Sequence, residues 1–582
     1  MKKSKTNNDY PWFKYYGDVP HHLDYPEGSL VSYLKKTVDK YPDYIAMEYF
    51  SNKWTFKEFY SEIEKCAKAL RQMGMKKGEV VSICMPNTPQ ALIMFYAVNM
   101  AGGIANMIHP LSSEKEIEFY LNKSRSSIVL VIDVDYKKIM KIIGNTGVKK
   151  MILSSAADEM PKFKAFLYAV LKGDKTRAIK KIKEVFMKAF NGREVITWKK
   201  FIDNGSKYKE DFEVLVDSND PAVILYSGGT TGKPKGIVLS NLNFNALAMQ
   251  CTYMCKPNKA GDSILNILPI FHGFGLGVCL HTCLTIGMRC VLIPVFSGRT
   301  LPNLIKQYHP SFIAGVPTLF EAVAKSTTFD KDDLACVHSL ICGGDMPSEQ
   351  TRLKVNKFFK EHGSKAEIRV GYGLTESSAA TSLTPRDGFR KGSIGIPLPD
   401  VVYKIVKIGT HDEVACGEDG EICISGPTVM LGYLDEVSET MQVLREHEDG
   451  KIWLHTGDIG SMDEDGYVYF KSRLKRVIVT SGYNVYPSYL EEIINKHPDV
   501  LTSTVIGVED KYRGQKVKAF IVLKDGVKLT DDVKKSIEEH CEKYIAKYAM
   551  PREIEYKKEL PKTLVGKISY TTLLENEKKN DK

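Results

Sequence analysis

The chain has 582 residues, more than a single hydrophobic core usually serves, so we predict at least two domains. Its hydrophobic content of 43% and charged content of 26% are those of an ordinary globular protein, and no apolar run reaches the roughly 18 residues of a membrane-spanning helix. The formal net charge of +10 suits anionic partners, but the absence of a recognisable module with interleaved aromatic residues argues against nucleic acid.

The N-terminus and the cysteines both indicate a reducing compartment. Basic residues begin the chain, but no apolar segment of a secretory signal follows them. Twelve cysteines are scattered without a C-x-x-C pair, and Cys251/Cys255 and Cys279/Cys283 have helical i,i+4 spacing. This pattern favours buried thiols over disulfides or a zinc site, so we expect a cytoplasmic protein.

Short apolar runs alternate with amphipathic stretches through the first two thirds of the chain. A helical pattern covers residues 55–73, and a strand-like run at 222–226 precedes a helical pattern at 241–250. This alternation predicts an α/β domain built on parallel sheets. The other runs that predict buried strands are residues 79–84, 128–132, 150–153, 263–268, 290–295, 339–342 and 367–370.

A lysine-rich insertion at about residues 156–198 interrupts this pattern. Apolar residues recur in it at helical spacing, which predicts two helices with apolar stripes. Basic residues around the stripes suit peripheral contact with an anionic membrane, and a hairpin packed on the domain is the alternative. The stripes are Phe163, Phe166, Leu167, Val170 and Leu171, then Ile179, Ile182, Val185, Phe186 and Phe190.

The pattern changes after residue 400. Shorter strands with glycine turns at residues 400–425 indicate a barrel-like subdomain, and Asp465-Gly466 marks a hairpin. Strands at 501–508 and 516–523 and a helix at 531–544 then predict a small α+β unit. We place the domain boundary at 471–475, which gives an N-terminal domain of residues 1–472 and a C-terminal domain of residues 473–582.

The segment YSGGTTGKPKG at residues 226–236 has the composition of a phosphate-binding loop. Its glycines let the backbone approach an anion, while its hydroxyl groups donate hydrogen bonds and its lysines add positive charge. A P-loop has four residues between its first glycine and Gly-Lys, but here only three separate Gly228 from Gly232-Lys233. The segment also lacks the G-x-G-x-x-G pattern of a dinucleotide-binding fingerprint. The residues expected to bind phosphate are Ser227, Gly228, Gly229, Thr230, Thr231, Gly232, Lys233 and Lys235.

The loop resembles, almost letter for letter, that of the adenylate-forming superfamily, which contains acyl-CoA synthetases, firefly-type luciferases and adenylation domains of peptide synthetases. Other segments resemble further superfamily elements in the same order: GYGLTE at 371–376, HTGD at 455–458, KSRLKR at 471–476 and PKTLVGKI at 561–568. The resemblance implies ATP, Mg²⁺ and CoA as cofactors and co-substrates. It also implies an adenylation domain followed by a mobile C-terminal domain.

Within these segments the resemblance implies a nucleotide site. Tyr372 would stack on adenine, and Glu376 would bind Mg²⁺ together with Thr230, since hard cations prefer oxygen ligands. Asp458 would accept hydrogen bonds from the ribose hydroxyls, with Arg473 beside it. The remaining nucleotide residues are expected to be Gly343, Gly371, Gly373 and Thr375.

The resemblance also implies catalysis in two half-reactions. Lys567 would lie across the acyl carboxylate and the α-phosphate, offsetting the repulsion between two anions. A rotation about the hinge Lys475 would then withdraw Lys567 and bring Gly482 to the pantetheine tunnel of CoA. His272, in the segment PIFHGFG at residues 269–275, would border and gate the acyl pocket, so we group it with Lys567 and Glu376 as catalytic residues.

We therefore expect an acid–thiol ligase of the AMP-forming acyl-CoA synthetase type. Enzymes of the superfamily that activate amino acids usually carry an aspartate in the segment that residues 269–277 match, and this chain has none there. An apolar acid, such as a medium- or long-chain fatty acid, is therefore favoured. The alternatives are an enzyme that loads a carrier protein, a ligase for aryl or bile-acid-like acids, and a catalytically silent lipid-binding scaffold; the oligomeric state is left open.

Overall fold

The computed structural model describes residues 10–171, 193–227, 234–480, 483–510, 512–562 and 568–580. The chain divides into two compact units: residues 1–402 with 425–446, and residues 403–424 with 447–582. Most of the predicted barrel-like segment therefore belongs to the second unit. The predicted boundary at 471–475 marks the start of a mobile domain rather than of a compact unit, and it stays a prediction.

An eight-stranded sheet of the first unit carries the ends of the phosphate loop. Its strands are parallel from Pro221–Ser227 to the far edge, and the strands between these two edges are largely buried, as is usual in parallel sheets. The strand Lys235–Ser240 was not predicted; it pairs antiparallel with Pro221–Ser227, so the loop joins two paired strands. In spatial order the strands are Gly432–Tyr433, Lys235–Ser240, Pro221–Ser227, Ile104–Ile108, Val80–Cys84, Ile128–Ile132, Lys150–Ser154 and Glu194–Thr197.

A nine-stranded sheet of the same unit carries the other predicted segments. The strands Ser263–Asn266, Ser339–Cys342 and Ile368–Tyr372 belong to its parallel part, so the residues that follow them meet at one edge. Those residues include His272, Gly343 and Glu376. In spatial order the strands are Ile396–Pro397, Ser382–Leu383, Ile368–Tyr372, Ser339–Cys342, Phe312–Gly315, Ser263–Asn266, Arg289–Leu292, Ile45–Tyr49 and Asn52–Thr55.

Helices separate the strands of the first unit, as the alternating pattern predicted. The helix Phe56–Gln72 begins with a capping box in which Thr55 and Glu58 exchange hydrogen bonds. A π-helical segment, Phe274–Thr282, follows the predicted acyl segment. The other helices and 3₁₀ turns are Pro11–Tyr15, Leu30–Lys40, Pro89–Met100, Glu114–Lys123, Asp133–Asp135, Tyr136–Ile142, Ile143–Asn145, Lys162–Leu171, Trp198–Lys207, Asn241–Met254, Cys283–Ile286, Leu301–Tyr308, Pro317–Ala324, Glu349–Glu361, Thr375–Ser377 and Val437–Val443; a short strand, Leu444–Glu446, follows the last helix.

The second unit contains the predicted small α+β fold. The helix Asp531–Tyr544 has the predicted bounds, and an apolar core that includes Ile494, Val505 and Ile537 packs between helices and sheet. One sheet contains Val402–Val406, Gly420–Ser425, Ile452–Met462 and Val468–Arg473; the other contains Tyr483–Val485, Ile478–Thr480, Gly514–Leu523, Val500–Asp510 and Glu553–Tyr556. The helical segments are Leu474–Arg476, Pro487–Asn495, Asp531–Tyr544 and Tyr570–Asn580.

The first predicted helix of the insertion is present as Lys162–Leu171. Phe163 is 77% exposed, Phe166 68% and Leu167 46%, so these three residues of its apolar stripe face away from the core. The second stripe, at residues 179–190, lies outside the described residues. Within the part of the chain that the structure describes, no helix has both the length and the apolarity needed to cross a membrane.

Candidate active site

The two strands that flank the phosphate loop bring Ser227 and Lys235 directly opposite each other. The ammonium group of Lys235 forms an ion pair with Glu439 and lies 4.6 Å from the centroid of the Tyr433 ring. These contacts fix the side chain of Lys235 at the start of the strand that follows the loop. The predicted phosphate-binding residues between them, Gly228, Gly229, Thr230, Thr231, Gly232 and Lys233, lie outside the described residues.

Tyr433 also contacts Glu376, the predicted magnesium ligand. Its hydroxyl group lies 3.1 Å from Oε1 of Glu376 and donates a hydrogen bond to it. Burial, with the nearby carboxylate of Glu376, raises the pKa of Tyr433 well above its usual range, so the hydroxyl group stays protonated as a donor. Tyr433 thus lies between Lys235 and Glu376. No local sequence pattern marks Tyr433, because 57 residues separate it from Glu376.

A tight backbone turn follows Glu376 and explains one of the predicted glycines. Ser378 and Ala379 have φ values of 67° and 155°, in the region that side chains disfavour. A Cβ on Gly373 would lie 1.6 Å from the carbonyl oxygen of Ala379, so only glycine fits there. The amide of Ser378 donates to the carbonyl oxygen of Thr375 at 3.0 Å, which closes the turn.

The acyl segment packs against this same turn. A Cβ on Gly273, next to His272, would lie 2.7 Å from the carbonyl oxygen of Ser378, so the two backbones touch. A Cβ on Gly343 would lie 3.1 Å from the ring of Phe274 and 3.5 Å from the carbonyl oxygen of Gly371. The structure therefore gathers the predicted acyl, adenine and magnesium segments at one edge of the nine-stranded sheet.

The side chain of Asn87 forms hydrogen bonds with the backbone at the start of the acyl segment. Its Nδ2 donates to the carbonyl oxygens of Asn266 and Leu268, at 3.0 and 2.9 Å, and its Oδ1 accepts from the amide of Ile270 at 3.2 Å. Asn87 is only 4% exposed, so these hydrogen bonds are shielded from water. No sequence signal marks it, since its partners lie about 180 residues away.

The apolar side chains of the acyl segment divide into two groups. Phe271 stacks on His109, with ring centroids 4.0 Å apart, and Phe274 is half-buried. Leu276 and Val278 are fully buried in the π-helical segment and belong to the core. The two phenylalanines therefore remain the better candidates for contact with an acyl chain.

The predicted ribose residues pair with each other in the second unit. Asp458 and Arg473 lie opposite each other on antiparallel strands, and Nε of Arg473 is 3.2 Å from Oδ1 of Asp458. Asp458 is almost fully buried, while about half of the Arg473 side chain is exposed. Gly457 has a φ of 68°, and its amide donates to Oε1 of Glu421 at 3.0 Å, which shapes the turn before Asp458.

The predicted hinge lies at the end of this strand pair. Lys475 is the middle residue of the 3₁₀ turn Leu474–Arg476. Its neighbour Arg476 is anchored: its guanidinium lies 2.7 Å from Glu491 and 3.5 Å from the centroid of the Tyr570 ring. A short turn next to a fixed arginine suits a pivot, and the hinge role stays a prediction.

Gly482 and Lys567 lie outside the described residues. The residues beside them are paired: Thr480 with Tyr483 in one hairpin, and Lys562 with Ile568 in an isolated antiparallel bridge. The roles of Gly482 and Lys567 in CoA binding and catalysis remain predictions.

Protein-family comparison identifies two matching regions. Residues 34–434 match a family described as AMP-binding enzyme, and residues 489–567 match its companion, described as AMP-binding enzyme C-terminal domain. The first match alone covers more than half of the chain.

Curated relatives cover almost the whole chain. A "Long-chain-fatty-acid--CoA ligase" of Bacillus subtilis (strain 168) is 34% identical over 579 residues, which is 98% of each chain. A "Probable 4-coumarate--CoA ligase 3" of Dictyostelium discoideum is 30% identical over 562 residues, covering 93% of this chain and 94% of the relative. Among solved structures, ATP-bound MatB from Rhodopseudomonas palustris superposes with a TM-score of 0.80 at 23% identity, covering 95% of this chain and all of that one. This likeness confirms the predicted α/β fold.

Proposed function

This chain belongs to the family of AMP-binding enzymes, and we propose that it joins a medium- or long-chain fatty acid to CoA while ATP is cleaved to AMP and pyrophosphate. The contact between Gly273 and the carbonyl oxygen of Ser378 carries this proposal. It puts the apolar acyl segment beside the turn that follows Glu376. An apolar acid held there would have its carboxylate next to the expected nucleotide.

The choice of acid rests on the side chains of the acyl segment and on the relatives. The segment 269–277 contains no carboxylate that could bind an α-amino group, and it presents Phe271 and Phe274. The relatives named as long-chain fatty acid ligases are up to 34% identical, against 30% for the coumarate ligase. The first observation favours an apolar acid over an amino acid, and the second favours an aliphatic acid over an aryl acid.

In the proposed first half-reaction, an oxygen of the fatty acid carboxylate attacks the α-phosphorus of ATP. The bond from that phosphorus to the bridging oxygen breaks, and pyrophosphate leaves with the electron pair. Two anions must approach each other, so the ammonium group of Lys567 would lower the barrier by bridging them. Lys235, held at the loop by Glu439 and Tyr433, would stabilise the phosphate charge.

The two predicted ligands, Glu376 and Thr230, have the chemistry that a magnesium ion requires. A carboxylate and the hydroxyl group of Thr230 are hard oxygen ligands, the type that Mg²⁺ prefers. The hydrogen bond from Tyr433 keeps Oε1 of Glu376 in one orientation. When bound, the ion would draw negative charge from the phosphates of ATP.

In the proposed second half-reaction, the CoA thiolate attacks the acyl carbonyl carbon and AMP leaves. Asp458 and Arg473 would stay bound to the ribose during thioester formation. A rotation about Lys475 would withdraw Lys567 and bring Gly482 to the thiol, so that one site serves two reactions in turn. The mobile domain would then begin near residue 473.

The experiment that tests the proposal measures pyrophosphate release from Mg-ATP with acetate, octanoate, palmitate, oleate, benzoate, cholate and phenylalanine, each with and without CoA. We expect octanoate, palmitate or oleate to give the highest kcat/KM, with acyl-CoA formed only when CoA is present. Adenylate that accumulates regardless of CoA would point to a carrier protein as acceptor. Preference for benzoate or cholate would replace the fatty acid by a ring-containing acid.

The insertion helix supports a second part of the proposal, peripheral contact with an anionic membrane. Phe163, Phe166 and Leu167 form an exposed apolar face next to Lys162. Lys164 anchors the helix from the other side, because its ammonium group donates to the carbonyl oxygen of Phe50 at 3.0 Å. An apolar face flanked by lysine suits the boundary between lipid headgroups and acyl chains.

Co-sedimentation with vesicles at low salt tests this contact. We expect binding to vesicles that contain phosphatidylserine but not to vesicles of phosphatidylcholine alone, and we expect Phe163→Ser/Phe166→Ser to weaken it several-fold. Leu215→Ser is the matched control, because Leu215 is 92% exposed on the same unit and lies outside the insertion in the sequence. Equal binding by all three proteins would remove the helix from the proposal.

A further inference from the structure

Three histidines that are far apart in sequence meet in the second unit. One ring nitrogen each of His411, His447 and His455 lies within 4.8 Å of the other two. We propose that these three residues, the histidine cluster, bind a divalent transition-metal ion such as Zn²⁺. The site is separate from the magnesium site, and the proposal does not depend on the identity of the acid.

The geometry of the two buried histidines is close to that of a zinc site. Nε2 of His447 lies 3.0 Å from Nε2 of His455, and each residue is about 5% exposed or less. Two imidazole ligands on a tetrahedral zinc ion have nitrogens about 3.3 Å apart, from Zn–N distances of about 2.0–2.1 Å. The two rings therefore need to separate by only about 0.3 Å to admit the ion.

Glu421 prepares His455 as a ligand. Its Oε2 lies 3.0 Å from Nδ1 of His455 and accepts that N–H, which leaves the lone pair on Nε2 directed at His447. A carboxylate that fixes the tautomer of a ligating histidine is a recurrent feature of zinc sites. The other oxygen of Glu421 accepts the Gly457 amide, so the cluster is joined to the turn that precedes Asp458.

The buried ring of His447 is only partly hydrogen-bonded. Nδ1 of this buried ring has no hydrogen-bond partner among the residues that the structure describes. The nearby ammonium group of Lys404 is paired with Asp449 at 2.8 Å, which offsets its repulsion of a cation.

His411 would supply the third ligand from an exposed turn. Its ring stacks on that of His447, with centroids 4.2 Å apart and planes 12° from parallel. A metal ion must lie in the plane of each ring that binds it, so His411 has to rotate out of the stack. Its exposed position leaves room for that rotation, and water can take the fourth position.

The full-length chain, stripped of metal and kept in excess Mg²⁺, is titrated with Zn²⁺ by calorimetry and with Co²⁺ by visible absorption. We expect one tightly bound ion per chain and a higher thermal unfolding midpoint with Zn²⁺. His411→Ala, an exposed change that should not disturb folding, should weaken binding at least tenfold, and His411→Ala/His447→Ala should abolish it. His540→Ala is the matched control, because His540 pairs with His497 in the same unit, with ring centroids 5.4 Å apart.

Two results would overturn the proposal. One is that the double variant binds Zn²⁺ as tightly as the wild type. The other is that the Co²⁺ complex shows a thiolate charge-transfer band that persists in the double variant. The second result would transfer the site to the overlapping group of Glu421, Cys423 and His455, whose ligand atoms also lie within 4.8 Å of one another.

Discussion

Replacing Asn87 by alanine tests whether one buried side chain positions the acyl segment. The change removes two hydrogen bonds donated to the carbonyl oxygens of Asn266 and Leu268 and one accepted from the amide of Ile270. At a net value of about 1 kcal/mol each, their loss lowers the free energy of unfolding by about 3 kcal/mol. The freed backbone groups are buried, so the segment should shift to find new partners.

This shift should also displace His272, the predicted catalytic residue, which follows Ile270 by two residues. A displacement of about 1 Å at a reacting group can reduce the rate by about 100-fold. We therefore expect Asn87→Ala to lower kcat/KM for palmitate by about 10- to 100-fold in the pyrophosphate-release assay. The KM for ATP should change little, because Asn87 makes no described contact with the nucleotide segments.

Asn99→Ala is the matched control for Asn87→Ala. Asn99 is also a buried asparagine of the first unit; it donates to Asn241 at 2.7 Å and accepts from the amide of Val31 at 3.1 Å. Its loss should lower the free energy of unfolding by about 2 kcal/mol without changing the preference among acids. The reasoning is refuted if both variants, assayed well below their unfolding temperatures, keep the wild-type kcat/KM for palmitate.

Three further predictions address the nucleotide site and stability. Lys567→Ala should abolish adenylation but leave thioester formation from supplied acyl-adenylate largely intact, as measured by mass spectrometry. Tyr433→Phe should raise the Mg²⁺ concentration for half-maximal pyrophosphate release by about 3- to 10-fold, because Glu376 loses a charge-assisted hydrogen bond. Burial raises the pKa of Glu159 to about 7, so ionisation of this carboxyl group lowers the free energy of unfolding as the pH rises through 7. Glu159→Gln should therefore raise the free energy of unfolding by about 1–2 kcal/mol at pH 8, after allowance for partial exposure, and by little at pH 4. Urea denaturation at the two pH values measures this difference.

Each of these predictions has a contrary outcome, and two of them have a matched control variant. Lys562→Ala changes a lysine of the same segment and should leave both half-reactions intact; equal loss of both half-reactions in Lys567→Ala would reject its assigned role. An unchanged Mg²⁺ requirement in Tyr433→Phe would mean that Glu376 needs no support from the tyrosine. Glu361→Gln, at an exposed helix end, should not alter the pH dependence, and a pH-independent effect of Glu159→Gln would contradict the desolvation argument.

The sequence by itself determined the class of fold, and it predicts the chemistry of the nucleotide site. Alternating apolar runs predicted the parallel strands, because a strand covered on both faces must be apolar throughout. The helix at 531–544 was confirmed with its predicted bounds, and the predicted pair Asp458 and Arg473 lies on facing strands. Such features can be read locally, since each depends on a few neighbouring residues.

Only the tertiary structure decided which distant residues touch. The strand Lys235–Ser240 follows a loop of glycine and lysine and was missed, because its strand character depends on pairing with Pro221–Ser227. Asn87 and Tyr433 have no motif of their own; each acts on a segment brought to it by the sheets. The histidine cluster is the clearest case. Its members have no regular zinc spacing in the sequence, and the expectation of no zinc site considered the cysteines alone, whereas the turns and strands of the folded chain bring three imidazoles together.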